Sequence, residues 1–256
     1  MRLGERILLG LSRESDAPDY EAATDSWTAE RALVPLRREF PDLTDLIHDA
    51  RVVDFGCGTG WQSIALVKTG ARMVLGVDTN ERTLGKAREL AGAHGVADRI
   101  AFDAAIPEDQ QGSFDIVITL NAMEHFDQPE SIMKTMASAL RRGGRLLVSF
   151  GPPWLAPTGS HMHFFTRVPW VNLFFSERTV MAVRSRFRSD GARRYEEVES
   201  GLNRMTVRRF ERIAAQCGLH IERKNYRCVK GLDFLQWTPG LREFFINNVS
   251  CVLTKR

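Results

Sequence analysis

Residues 52–60 read Val-Val-Asp-Phe-Gly-Cys-Gly-Thr-Gly, and the fold follows from how that stretch must sit. Two β-branched residues lead into Asp54, as in a buried strand, and the loop after it has glycine at 56, 58 and 60. Glycines so placed let the backbone turn sharply with φ > 0 and let a ligand lie against bare main chain. Trp61 to Lys68 then reads as a helix, whose first N–H groups face whatever occupies the loop and suit an anion. A second apolar run, Met73 to Val77, ends on Asp78, an acid about 20 residues beyond the loop. Strand, glycine loop, helix and distal acid together describe a nucleoside-binding site.

The dinucleotide fingerprint G-x-G-x-x-G is broken, because Trp61 stands where its third glycine belongs. The stretch instead resembles motif I, roughly D-x-G-x-G-x-G, of the class I S-adenosylmethionine-dependent methyltransferases, matching at Asp54, Gly56, Gly58 and Gly60. Further motifs of that family follow in order. Asp78 stands where a strand-2 acid holds the ribose hydroxyls, and Asp103-Ala104 where the adenine is contacted. Ser113 to Asn121 resembles the fourth strand, with Glu124-His125 its common companion, and Leu140 to Val148 resembles the entry to the fifth. The resemblance implies S-adenosylmethionine as cofactor, with Asp54, Gly56, Cys57, Gly58, Gly60, Gln62, Asp78, Thr79, Asp103, Ala104 and Asn121 around it.

The chain's 256 residues suffice for one large core with appendages. No apolar run approaches a membrane span. The short N-terminal stretch carries Glu5, which favours an amphipathic helix over a cleaved signal. Cysteines 57, 217, 228 and 251 lack zinc or disulfide spacing, so reduced thiols and a cytoplasmic protein are expected. The net charge of +3 does not argue for nucleic acid.

Apolar runs alternate with helical patterns, the mark of a parallel sheet wound by helices. Strands are predicted at 51–55, 73–77, 99–102, 114–120 and 145–150, and helices at 61–68, 80–93 and 129–141, the last stopped by Gly143-Gly144. A helix at 206–217 precedes strands near 219–228 and 244–254, which the resemblance makes an antiparallel C-terminal hairpin. The predicted fold class is therefore α/β: a Rossmann-like, seven-stranded, mostly parallel sheet with helices on both faces. Residues 51–150 and 205–256 form its core, and residues 1–50, with Tyr20, Trp27 and Arg31, a helical cap closing the pocket. Residues 151–204 are an insertion after strand five, longer than such a connection needs, and are expected to form a substrate lid. That segment holds eight arginines against five acids, and eight of the 23 aromatics.

Methylation of an oxygen requires removal of the hydroxyl proton, which a histidine near neutrality serves as general base. His161 and His163, in the insertion, are the first candidates and His125 a third. The ordinary alternative packs one of the first two among Phe164, Phe165 and Trp170 and leaves the other exposed. With Glu124 the pair has the donor types of a metal site, yet His-x-His is common and no metal is expected. The series Arg184, Arg186, Arg188, Arg193 and Arg194 suits a phosphate or carboxylate clamp, but pairing with Glu196, Glu197 and Glu199 on a solvated face is favoured.

The expected activity is S-adenosylmethionine-dependent O-methylation of a small-molecule or glycan substrate, a sugar hydroxyl first. The alternative acceptor is a phenol or quinone precursor. A repurposed cofactor-binding protein without methyl transfer is the reading from another class. Nucleic-acid bases are disfavoured: enzymes of exocyclic amines carry Pro-Pro-aromatic after strand four, where this chain has Asn121-Ala122-Met123-Glu124, and Pro152-Pro153-Trp154 follows strand five. Oligomeric state is left open.

Overall fold

The computed structural model describes residues 1–13, 28–198 and 201–256; Tyr20, Trp27 and Glu199 lie outside them. A seven-stranded sheet has the order β3-β2-β1-β4-β5-β7-β6. Its strands are β1 (Arg51–Phe55), β2 (Met73–Val77), β3 (Ile100–Asp103), β4 (Phe114–Leu120), β5 (Leu140–Phe150), β6 (Leu219–Cys228) and β7 (Ile246–Lys255). Strands β1 to β5 pair in parallel. Strand β7 runs antiparallel to both β5 and β6, so it alone is reversed.

The helices are α1 (Leu3–Gly10), α2 (Ala29–Glu39), α3 (Leu43–Ile47), α4 (Trp61–Thr69), α5 (Glu81–Ala93) and α6 (Pro129–Ala139). After β5 come α7 (Val171–Phe174), α8 (Glu177–Arg184), α9 (Val207–Gln216) and α10 (Arg242–Phe245). Because strand side chains alternate, the central strands send one set to each face, and both faces are covered. Val52, Val74, Ile116, Ile118 and Leu147 pack under α2 to α5. Val53, Val117, Leu146, Val148 and Leu253 pack under α6 and α9. Helix α9 buries Val207, Phe210, Ile213 and Ala214, the stripe that its sequence periodicity marks.

Three elements differ from expectation. Helix α6 stops at Ala139, two residues early, because Leu140 already pairs with Phe114 and the ladder resumes at Arg145 opposite Ile116 after a shift. Gly143-Gly144 lies in that irregular strand entry and is not what stops the helix. Residues 242–245 form a helical turn, so the last strand starts at Ile246. The expected cap over residues 1–50 is divided between two cores. Helices α2 and α3 belong to the sheet's core, whereas Leu8 of α1 joins Met162, Phe165, Val180, Tyr195 and Leu202 in a separate cluster. A bridge between Ser12 and Thr166 ties the end of that helix to residues 151–204. No described helix is long and apolar enough to cross a membrane.

Candidate active site

The glycine loop is clamped to β2 by its backbone: the N–H groups of Gly56 and Cys57 both donate to the Val77 carbonyl, at 2.8 and 3.0 Å. Gly60, at φ +80°, opens α4, and a Cβ there would lie 2.8 Å from the Phe102 ring and 2.9 Å from Ala87. Gly58 is different: at φ +51° a Cβ would meet nothing within 4 Å, so the backbone there borders open space. Cys57 is buried, and burial pushes its thiol well above the ordinary range, so it packs as an apolar group.

Asp54 lies fully buried beneath the loop and accepts hydrogen bonds from Gln62 Nε2 and Ser63 Oγ, both at 2.6 Å. Burial raises its carboxyl to about 6, against the pull of those two donors. Its side chain therefore anchors the first turn of α4. Gln62, one of the cofactor candidates, turns its Nε2 onto Asp54. Ser63 was not singled out from the sequence, although a buried acid at a strand end requires donors of this kind.

Asp78 is half-buried at the tip of β2, its Oδ2 accepting the Gly58 N–H and its Oδ1 the Asn80 N–H, both at 2.9 Å. Thr79 is exposed beside it, and Asn80 caps α5 by accepting from Arg82 and Thr83. On the next strand Asp103 is exposed, with Oδ1 accepting the Ala104 N–H at 2.7 Å. Asn121, beyond β4, is held at φ +51° while its N–H donates to the Ser149 carbonyl at 2.7 Å. The candidates thus line the carboxyl ends of β1 to β4, where ligands bind in open α/β sheets.

A histidine pair adjoins this row. A Cβ on Gly56 would lie 3.8 Å from that of Ala122, and the Phe55 and Phe126 rings meet at 5.9 Å, so the turn 122–126 leans on the glycine loop. From that turn His125 directs Nδ1 to the Gly201 carbonyl, 2.7 Å away. Its ring meets that of His161 edge to face, with centroids 5.3 Å apart. His161 Nε2 lies 3.3 Å from the Pro152 carbonyl. Burial and the neighbouring His125 lower His161 to about 4, so its ring is neutral at pH 7. Glu124 is buried, with Oε1 accepting the Gly151 N–H at 3.0 Å and Oε2 without a partner, and burial raises its carboxyl.

Asn203, another residue that sequence patterning did not mark, clamps the turn. Its Nδ2 donates to the carbonyls of Met123 and Phe126, both at 2.8 Å, and its N–H to that of Glu124. His163 stands exposed, outside the pair. Arg184 is buried and joined to Asp190 by two bonds of 2.6 Å, and Arg194 pairs with Glu196 at 2.8 Å. Arg184 is thereby committed within the protein, though to a partner other than the glutamates expected. Among the described residues no three His, Cys, Asp or Glu side chains converge as metal ligands.

Residues 27–223 match the family described as methyltransferase domain. This chain belongs to that family. Among curated proteins it is 34% identical over 120 residues to a ubiquinone biosynthesis O-methyltransferase of Methylococcus capsulatus, covering 46% of this chain and 50% of that one. The chain thus spans about half the length of the curated relatives it matches. In structure it resembles an S-adenosylmethionine-dependent methyltransferase of Mesorhizobium loti, with TM-score 0.58, 21% identity, and coverage of 90% of this chain and 99% of that one. A magnesium protoporphyrin IX methyltransferase of Synechocystis with bound S-adenosylmethionine gives TM-score 0.52 and 16% identity, over 89% and 79% of the two chains. The cofactor is S-adenosylmethionine. The residues present fit it: open space over Gly58 lies beside the Asp78 carboxylate, and exposed backbone follows at Asn121.

Proposed function

We propose that this methyltransferase family member O-methylates a phenolic or quinone-type acceptor, with His125 as general base. The observation that carries this reading is the tethering of His125 Nδ1 by the Gly201 carbonyl, which fixes the ring and leaves Nε2 as the proton acceptor. When bound, S-adenosylmethionine supplies an electrophilic methyl group on sulfur. Asp78 and the 56–60 backbone would hold it, and the 121–126 turn carries His125 at the same end of the sheet. The acceptor proton passes to His125 Nε2 as the oxygen takes the methyl.

Two considerations favour a phenol over a sugar hydroxyl. A phenol ionises near pH 10, whereas an alkyl hydroxyl is about as weak an acid as water, near 15.7, so a phenol asks far less of its base. The related proteins are also named for ubiquinone biosynthesis. In this reading the half-buried His161 positions His125, and residues 151–204, with their own small core, form the lid over the acceptor.

Transfer of label from methyl-labelled S-adenosylmethionine to catechols, hydroxylated quinols and free sugars tests the acceptor. A methoxyarene product is expected. Label confined to the sugars would overturn the phenol, and tight cofactor binding without transfer to any acceptor would support the repurposed binder.

A further inference from the structure

Among the described residues, every large exposed apolar side chain except Val34 and Met73 falls in one of three short stretches. Helix α1 and its C-cap expose Leu3, Ile7 and Leu11, a stripe at four-residue spacing, while Leu8 of the same helix is buried. Helix α7 exposes Leu173 and Phe174, the latter at 71%. The connection from β6 to β7 exposes Phe234, Trp237 and Leu241, with Trp237 at 76%. Scattered exposed apolar residues need no explanation, but concentration at one end of a molecule does.

The stretches adjoin one another. A Cβ on Gly4 of α1 would lie 3.5 Å from Thr179 and 3.9 Å from the Phe175 ring, placing α1 against the start of α8. Trp170, which precedes α7, meets the ring of Phe245 in α10 at 6.1 Å. Chain connectivity puts two of them at the carboxyl end of the parallel strands, the end that carries the glycine loop and His125, since α7 follows β5 and residues 229–245 follow β6. Helix α1 joins them through its contacts with Thr179, Phe175 and Thr166.

Cations accompany the apolar groups. Arg6, Arg13 and Arg178 are exposed and have no carboxylate partner among the described residues. Beside Trp237 a cavity of about 300 Å³ is lined by Arg208, Lys224, Arg242 and Tyr226. Glu211 answers Arg242 at 2.6 Å, while Arg208 and Lys224 have no such partner among the described residues. Apolar and aromatic groups mixed with cations that form no close ion pair match the chemistry of an anionic lipid interface.

We infer that this rim docks on a bilayer containing anionic phospholipid, with α1, Phe174 and Trp237 entering the interface and the Arg208–Lys224 cavity receiving a lipid phosphate. The end of the sheet that carries the glycine loop and His125 then faces the membrane. The inference stands apart from the acceptor assignment, since it is read by binding and not by turnover.

The test is co-sedimentation of the full chain with phosphatidylcholine vesicles, with or without phosphatidylglycerol, across a salt series. Preference for the anionic vesicles by at least about tenfold, weakening with salt, is expected. Phe174→Glu with Trp237→Glu should abolish that preference, Arg208→Gln with Lys224→Gln should flatten the salt dependence, and Met73→Glu, away from the rim, should change neither. Calorimetric affinity for S-adenosylmethionine should stay as in the wild type throughout, which reports that each variant is folded. Equal or no sedimentation with both vesicles overturns the inference, as does a Met73→Glu effect as large as that of the rim variants. So does a dimer in sedimentation velocity that Trp237→Glu dissociates, since the rim would then be a contact between copies.

Discussion

The ring of His125 meets that of His161 at 89°, with centroids 5.3 Å apart, although 36 residues separate them in the chain. His161 is kept neutral and packs against a ring whose Nδ1 is already held. In the proposed mechanism the pair would divide the labour between one imidazole that takes a proton and one that sets its angle.

Replacing His125 with Ala is expected to lower kcat by about 10²- to 10⁴-fold, the range for a lost general base. S-adenosylmethionine affinity should stay within about twofold, and calorimetry beside steady-state kinetics checks both. His161→Asn should lower kcat less, and the pH dependence that His125 confers should persist in it, because His161 does not itself exchange the proton. Loss of that dependence would transfer the base assignment to His161.

The buried Asp54 and the half-buried His161 predict opposite pH dependences of stability. His161 falls from its ordinary value near 6.5 to about 4, so its contribution is full above 6.5 and lost as pH falls through 4. Asp54 rises from 3.8 to about 6, so its contribution is full below 3.8 and lost as pH rises through 6. Between about pH 4 and 6 the two largely offset. Relative to wild type, Asp54→Asn should lose stability as pH falls through this window and His161→Asn should gain it. Urea midpoints at pH 4.5, 5.5 and 6.5 are the measurement, and parallel curves for all three proteins would count against both assignments.

Gly60 and Gly58 should separate stability from binding. Gly60→Ala puts a methyl 2.8 Å from Phe102 at a positive φ and should cost about 2–4 kcal/mol, read as a lowered thermal midpoint. Gly58→Ala meets open space and should cost only about 1–2 kcal/mol from its φ, while cofactor affinity falls. Equal loss of affinity per unit of stability in both variants would mean that Gly58 does not border the cofactor.

Asp78→Ala removes a carboxylate that accepts from Gly58 and Asn80. Cofactor affinity should fall by about 10- to 100-fold, the worth of charge-assisted hydrogen bonds, with the fold retained by circular dichroism. Unchanged affinity would place the ribose elsewhere.

Asn203→Ala frees two carbonyls of the 123–126 turn, which should cost about 1–3 kcal/mol of stability. It should also lower kcat more than it raises KM, since the turn carries His125. A loss confined to stability, with kcat intact, would leave Asn203 without a part in positioning.

Local pattern made the sheet and the glycine loop legible. Gly56, Gly58, Gly60 and Asp78 act within one strand–loop–helix–strand unit, whose conformation is dictated by neighbours in sequence. The early end of α6 and the helical turn at 242–245 were not legible, because pairing of Leu140 with Phe114 and the packing of residues 229–245 override local preference. Gln62 illustrates the limit within the site itself: its position faces the loop, but the buried Asp54 decides what its amide does.

By itself the sequence determined the α/β sheet, the order of its motifs and the row of cofactor candidates, since period-2 burial and glycine spacing are short-range properties. The tertiary structure alone decided that His125 pairs with His161 while His163 faces solvent, because the carbonyl of Gly201 and the shared packing are brought in from distant segments. It alone also decided that Leu3, Phe174 and Trp237 stand uncovered at one end. Exposure is set by what packs against a residue, which its chemical type does not record.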